Sequence, residues 1–137
     1  MGAVQGHVRA LLRLEGLCIL LGAALLYQSF KFSWLIFLIC FMLPDLSMLA
    51  YVKGPRIGAA VYNAAHCYIG PLVLLGLAFL DVPAALPAAL VWLAHIGFCR
   101  AFGFGLKYAS NFADTHLGPV PLDLPALAAK LLGSARS

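Results

Sequence analysis

The sequence predicts an all-α integral membrane protein: a four-helix bundle followed by a short cytoplasmic amphipathic tail. Three observations carry that reading. The 137 residues are 64% hydrophobic and 10% charged, with a mean hydropathy of +0.97, whereas roughly a quarter of the residues of a soluble domain are charged. Apolar runs near 11–28, 33–52, 57–80 and 84–104 each approach the roughly 20 residues that a bilayer crossing needs. Basic residues are also distributed unevenly between the two ends of these runs. Arg9, Arg13, Lys53, Arg56, Arg100, Lys107, Lys130 and Arg136 fall on one side and only Lys31 on the other, so the positive-inside tendency puts both termini in the cytoplasm.

Residues 1–10 read as a short polar lead ending near Arg9. The first run follows, interrupted early by Arg13 and Glu15 and closed by a turn around 28–31. No small-residue cleavage pattern follows it, so it is expected to be a retained helix rather than a secretory signal. The second run is opened by the aromatics Phe32 and Trp34 and closed by Tyr51 and Lys53, as an interfacial belt would be. Gly54, Pro55 and Arg56 turn the chain into the third, and Asp81, Val82 and Pro83 turn it into the fourth. Pro44 and Pro71 lie inside spans, where each frees a carbonyl one turn earlier, at Cys40 and Cys67. Residues 1–118 are thus expected to form a four-span domain that ends in a polar Asp-Thr-His loop. Residues 119–137 form a cytoplasmic tail in which Asp123 caps an amphipathic segment at 124–132.

Ionisable groups inside spans are costly unless they face a partner or a cavity. Counting from the cytoplasmic ends at about 1.5 Å per residue, Asp45 lies roughly 10 Å deep, His66 and His95 roughly 14 Å, and Glu15 and Arg100 roughly 6 Å. All sit in the same half of the membrane, so one residue from each helix can converge. Tyr62 and Asn63 share the helical face of His66, and Cys99 stands four residues after His95. In an extended segment, Asp114 and His116 point the same way and can swing back under the bundle. Asp45, His66, His95 and His116 are therefore the candidate ligands of a divalent Zn, Mn or Fe ion. Glu15, Asp114 and His116 are the candidate acid/base groups, and Arg100, Asn63 and Tyr62 the candidate substrate contacts. Cys99 reads as packing, and the glycines at 70, 76, 97, 103 and 105 read as close helix contacts. The other cysteines, Cys18, Cys40 and Cys67, each occupy a separate run, and no Cys-x-x-Cys pattern occurs. Histidine-rich di-iron chemistry is excluded by a total of four histidines.

The chain resembles a family of small bacterial membrane proteins known as domain of unknown function 4260. The resemblance spans about 13 to 118. It rests on Arg13-Leu14-Glu15-Gly16, Pro44-Asp45-Leu46-Ser47-Met48, Gly54-Pro55-Arg56, Tyr62-Asn63 with His66, and Trp92-Leu93-Ala94-His95-Ile96-Gly97-Phe98 with Arg100. Gly103-Phe104-Gly105-Leu106-Lys107-Tyr108 and Phe112-Ala113-Asp114-Thr115-His116-Leu117-Gly118 complete it. Proteins of this kind commonly carry an acidic residue where this chain has Cys99. The resemblance implies bacterial inner-membrane placement and no particular activity.

From the residues, the leading expectation is a membrane-embedded, metal-dependent enzyme, a hydrolase acting on a lipid or other amphiphile from the cytoplasmic leaflet. The rival is a non-enzymatic bundle whose polar groups form a proton or ion relay, a small transporter path, or an ion-paired core serving structure or interaction. The expected partners are the bilayer and an amphiphilic substrate, with self-association left open and no nucleic acid.

Overall fold

The computed structural model describes residues 3–120. Helix α1 spans Gly6–Ser29 and α2 spans Trp34–Phe41, which a 3-10 helix continues over Leu43–Lys53. Helices α3 (Pro55–Ala65) and α4 (Ile69–Phe79) form a third rod broken at 66–68, and α5 covers Ala85–Ala101. A two-stranded antiparallel hairpin, β1 (Asp114–Thr115) and β2 (Gly118–Pro119), closes the described chain. The chain is an all-α membrane bundle. Gly6–Ser29, Trp34–Lys53 and Pro55–Phe79 are each long and apolar enough to cross a bilayer, and α5 is a shorter apolar helix of 17 residues. Leu25, Leu35, Leu38, Ile39 and Phe79 are all exposed on the outside of the rods, the surface a bilayer would solvate. The expected tail lies outside the described residues except for Pro119 and Val120, as does its amphipathic segment.

Helix α5 is the axis of the fold. It packs against α1, α2 and α4 and buries nine residues, from Ala85 to Cys99. Its closest crossing is with α1, where Gly16 and Gly97 meet backbone to backbone. A Cβ added to Gly16 would lie 2.9 Å from Gly97 O, and one added to Gly97 would lie 2.6 Å from Gly16 O. Small residues allow helix axes to approach this closely, and dispersion contacts then replace the hydrophobic drive that lipid does not supply. At the far end Tyr27, Phe32, Trp34 and Phe37 pack ring on ring around the turn at Lys31, and the Tyr27 hydroxyl donates to Ser33 O at 2.8 Å.

Two departures from regular helix set the site. Helix α2 ends one residue after Cys40, and the 3-10 helix takes over with Pro44 in its first turn. In a 3-10 helix side chains three apart eclipse. Leu43, Leu46, Leu49 and Val52 therefore form one exposed apolar ridge, while Asp45, Met48 and Tyr51 fall on an inward, partly buried one. The break at 66–68 precedes Pro71, and side chains of α5 satisfy the carbonyls it exposes. Trp92 Nε1 donates to Ala65 O at 2.6 Å and Arg100 Nη2 to His66 O at 3.3 Å. This is how a broken helix persists in lipid.

Candidate metal centre

Asp45, from the inward ridge of the 3-10 helix, meets His66 at the break of the third rod and His95 and Cys99 on one face of α5. One ligand atom from each lies within 4.8 Å of all the others. His66 Nε2 is 3.1 Å from His95 Nε2, and Asp45 Oδ1 is 3.4 Å from the first and 3.5 Å from the second. Cys99 Sγ is 3.5 Å from His95 Nε2. His66, His95 and Cys99 are 3%, 1% and 7% exposed, against 36% for the Asp45 side chain, so the group is closed on three corners and open on one.

The protonation pattern follows from the backbone. Tyr62 O lies 2.9 Å from His66 Nδ1, and a carbonyl only accepts, so Nδ1 carries the hydrogen and Nε2 turns its lone pair inward. Tyr62 also stacks on the His66 ring at 3.8 Å and 12°, and Phe41 lies edge-on to His95 at 5.1 Å. Both imidazoles are thus held in orientation by apolar walls. The lone pair of His66, the carboxylate of Asp45 and the sulfur of Cys99 share at most one imidazole hydrogen, that of His95 Nε2. His95 Nδ1 is buried with no partner among the described residues.

The other residues singled out from the sequence go elsewhere. Tyr62 supports His66 from a fully buried position and offers no surface to a substrate. The Asn63 amide is spent on the Lys107 backbone: its Nδ2 donates to Lys107 O at 2.8 Å and its Oδ1 accepts from Lys107 N at 2.7 Å. Asp114 is exposed on the hairpin and accepts from Ser110 Oγ at 2.9 Å. It turns outward because β1 pairs with β2 rather than lying under the bundle. His116 does return to the bundle but stops at Arg100, whose Nη1 is 2.9 Å from its Nε2, while Leu106 N donates to its Nδ1 at 2.9 Å. Burial, then the Arg100 charge, push the His116 pKa below its ordinary value. Glu15 is exposed on α1, beside Arg100 rather than beside the His-His-Cys-Asp group. Cys99, read from sequence as packing, takes the place in the group that His116 was expected to fill. The signal for it was its spacing of four residues from His95, one helical turn on the same face.

An all-α membrane bundle with one buried His-His-Cys-Asp group is the class that fold and site define. The chain belongs to the domain of unknown function 4260 family, whose pattern matches residues 9–120. No curated protein and no solved structure matches it.

Proposed function

We propose that this protein is a zinc-dependent hydrolase of the membrane, acting on a lipid or another amphiphile. The observation that carries the reading is the convergence of four donor atoms of zinc-ligating type with an excess of lone pairs among them. Ligands about 2.0–2.3 Å from a tetrahedral zinc lie about 3.3–3.7 Å from one another; four of the six distances here, at 3.1–3.5 Å, are close to that spacing, and the whole set lies within 4.8 Å. A thiolate beside two imidazoles selects zinc over manganese, which prefers oxygen. His66, His95 and Cys99 would hold the ion, the Tyr62 carbonyl fixing the tautomer of His66 as metal-bound histidines require. With zinc bound, Asp45 on the open corner would be placed to orient a water and take its proton. A bound zinc lowers the pKa of such a water to about 7.

An apolar groove formed by neighbouring stretches of the chain suggests the substrate class. A groove of about 690 Å³ is lined by Leu43, Pro44 and Ser47, which flank Asp45 in sequence, by Ala65 next to His66, by Trp92 and by further mostly apolar side chains. Its size suits a drug-sized or acyl ligand, and its lining suits hydrocarbon. We place the termini and the polar half of the bundle on the cytoplasmic side of a bacterial inner membrane, on the distribution of basic residues. A reporter active only outside the cytoplasm, fused after residue 82 and after residue 137, tests this: activity at the second and silence at the first would reverse it.

Elemental analysis of the purified full-length protein tests the metal. About one zinc per chain is expected, falling to background in His66→Gln and His95→Gln. Metal-free protein of undiminished thermal stability would overturn the reading. With zinc present, turnover of ester or phosphoester amphiphiles in nanodiscs should vanish in Asp45→Asn.

One observation favours a second reading, a metal-free ion-paired core. With His66 protonated, its Nε2–H can serve both Asp45 Oδ1 and His95 Nε2 at the distances seen. Both accounts leave His95 Nδ1 buried without a partner among the described residues, so metal content and not that atom separates them. A relay across the membrane is disfavoured because 35–40, 72–80 and 84–93 carry no titratable group other than Cys40.

A further inference from the structure

One residue beyond Cys99 the chemistry changes sign. Leu106 N donates to His116 Nδ1 at 2.9 Å. A backbone N–H cannot accept, so Nδ1 holds the lone pair and a neutral ring carries its hydrogen on Nε2. Arg100 Nη1 lies 2.9 Å from that same Nε2, and a guanidinium only donates. The same Nη1 is 3.4 Å from Nδ1, so it stands against the side of the ring and can share the Nδ1 lone pair with the Leu106 N–H, while the Nε2–H has no acceptor among the described residues. Flipping the imidazole does not relieve this, because it would set a ring carbon against the Leu106 N–H. Among the described residues no carboxylate lies within ion-pair distance of Arg100; the only such contacts are those of Asp45 with the two histidines. Arg100 and His116 line a cavity of about 230 Å³ between α1 and α5, which Tyr68 and Glu15 also line. Arg13, on α1, donates through Nε to Ala101 O at 2.8 Å, next to Arg100 in the chain.

We propose that Arg100, His116 and Tyr68 form a binding site for a phosphate-class oxyanion, separate from the metal centre and independent of it. The anion supplies the acceptor that the His116 Nε2–H lacks and the counter-charge that Arg100 lacks, and the Tyr68 hydroxyl adds a further donor. Glu15 stands at the rim as the competitor: its carboxylate opposes the anion and weakens its binding. Leu12 and Ile19 line the same cavity, so the anion is either free phosphate or the head group of a lipid whose chain lies along α1.

The test is calorimetric titration of the purified full-length protein in detergent, with inorganic phosphate and with short-chain dihexanoyl phosphatidic acid, in the presence of a chelator so that no metal contributes. Saturable binding of phosphate is expected, at least about tenfold weaker in Arg100→Gln and several-fold tighter in Glu15→Gln. Phosphatidic acid binding much more tightly than phosphate identifies a lipid head group, and equal affinities identify the free ion; both outcomes support the site. Absence of binding by both probes, or affinity that Glu15→Gln leaves unchanged, overturns it. Because Glu15 is exposed, its variant folds even where Arg100→Gln, which also releases His66 O, does not. Loss of binding only when chelator is added would assign the anion to the metal instead, and would also overturn the proposal.

Discussion

Two clusters at the same end of α5 carry opposite imbalances. Around His66, His95, Cys99 and Asp45, acceptors outnumber hydrogens; around Arg100 and His116, hydrogens outnumber acceptors. The leading residues, Cys99 and Arg100, are neighbours in the chain, and the helical turn of about 100° per residue sends them to different faces. One face meets the broken third rod and the 3-10 helix, the other meets α1 and the hairpin segment. Polar groups in a low-dielectric interior are expensive unless matched, so each imbalance points to a counterpart of the opposite kind: a cation on one side, an anion on the other.

The comparison breaks most sharply at Cys99. Cys99→Ala should lower zinc affinity by at least about 100-fold, more than the 10- to 100-fold cost of losing a supporting partner, while phosphate affinity stays within about twofold. A titration with a competing chelator measures the first and calorimetry the second. If both fell together, the two clusters would be a single site.

His116→Ala is the reciprocal experiment and the next largest effect. Zinc content should match that of the unmodified protein, since the His116 ring nitrogens serve Leu106 and Arg100, while phosphate binds about tenfold more weakly. Zinc lost together with phosphate would restore His116 to the metal-ligating set that the sequence suggested.

What the sequence made legible, and what it hid, follows the same division. Asp45, His66 and His95 announced themselves because ionisable residues deep in apolar runs are rare and share a depth. Cys99 did not, because a cysteine in an apolar run looks like any small hydrophobe until the fold shows what lies one turn away. The period of three in Leu43, Leu46, Leu49 and Val52 was present in the sequence as the mark of a 3-10 helix. It was masked by the overall apolarity of the run, in which every register looks lipid-compatible. The placement of Asp114 and His116 depended on pairing between 114–115 and 118–119 and on hydrogen bonds to Leu106 and Val4. Such non-local contacts leave no periodic trace.

Asn63→Ala sharpens the comparison at an intermediate scale. Asn63 pins the strand-like segment that carries Lys107 and, across Leu106, His116. Its removal leaves a backbone donor and an acceptor of Lys107 unmatched and should cost about 1–3 kcal/mol of stability. Phosphate affinity should fall while zinc content holds. A variant as stable as the parent would mean that water replaces the amide and that the segment is held by other contacts.

The smallest effect concerns Lys107, which anchors the same segment from the other side. Its ammonium donates to Phe112 O at 2.8 Å and sits over the rings of Phe112 at 3.4 Å and Tyr62 at 4.9 Å. The aromatic faces attract the charge, but removal from water opposes it more strongly and brings the pKa down from 10.5 to about 8. A folded pKa below the unfolded one means that between about pH 8 and 10.5 the unfolded chain holds a proton that the folded protein has released. Stability from this group therefore rises with pH across that window. Lys107→Met removes this dependence and keeps the aliphatic stem packed between the rings. The melting temperature of the unmodified protein minus that of the variant should be flat below about pH 8 and climb by a few degrees toward pH 10.5. A difference that stays flat, or falls, would mean that the two rings hold the lysine charged in the folded state. The anchor of the hairpin segment would then be a cation–π lock rather than a buried amine.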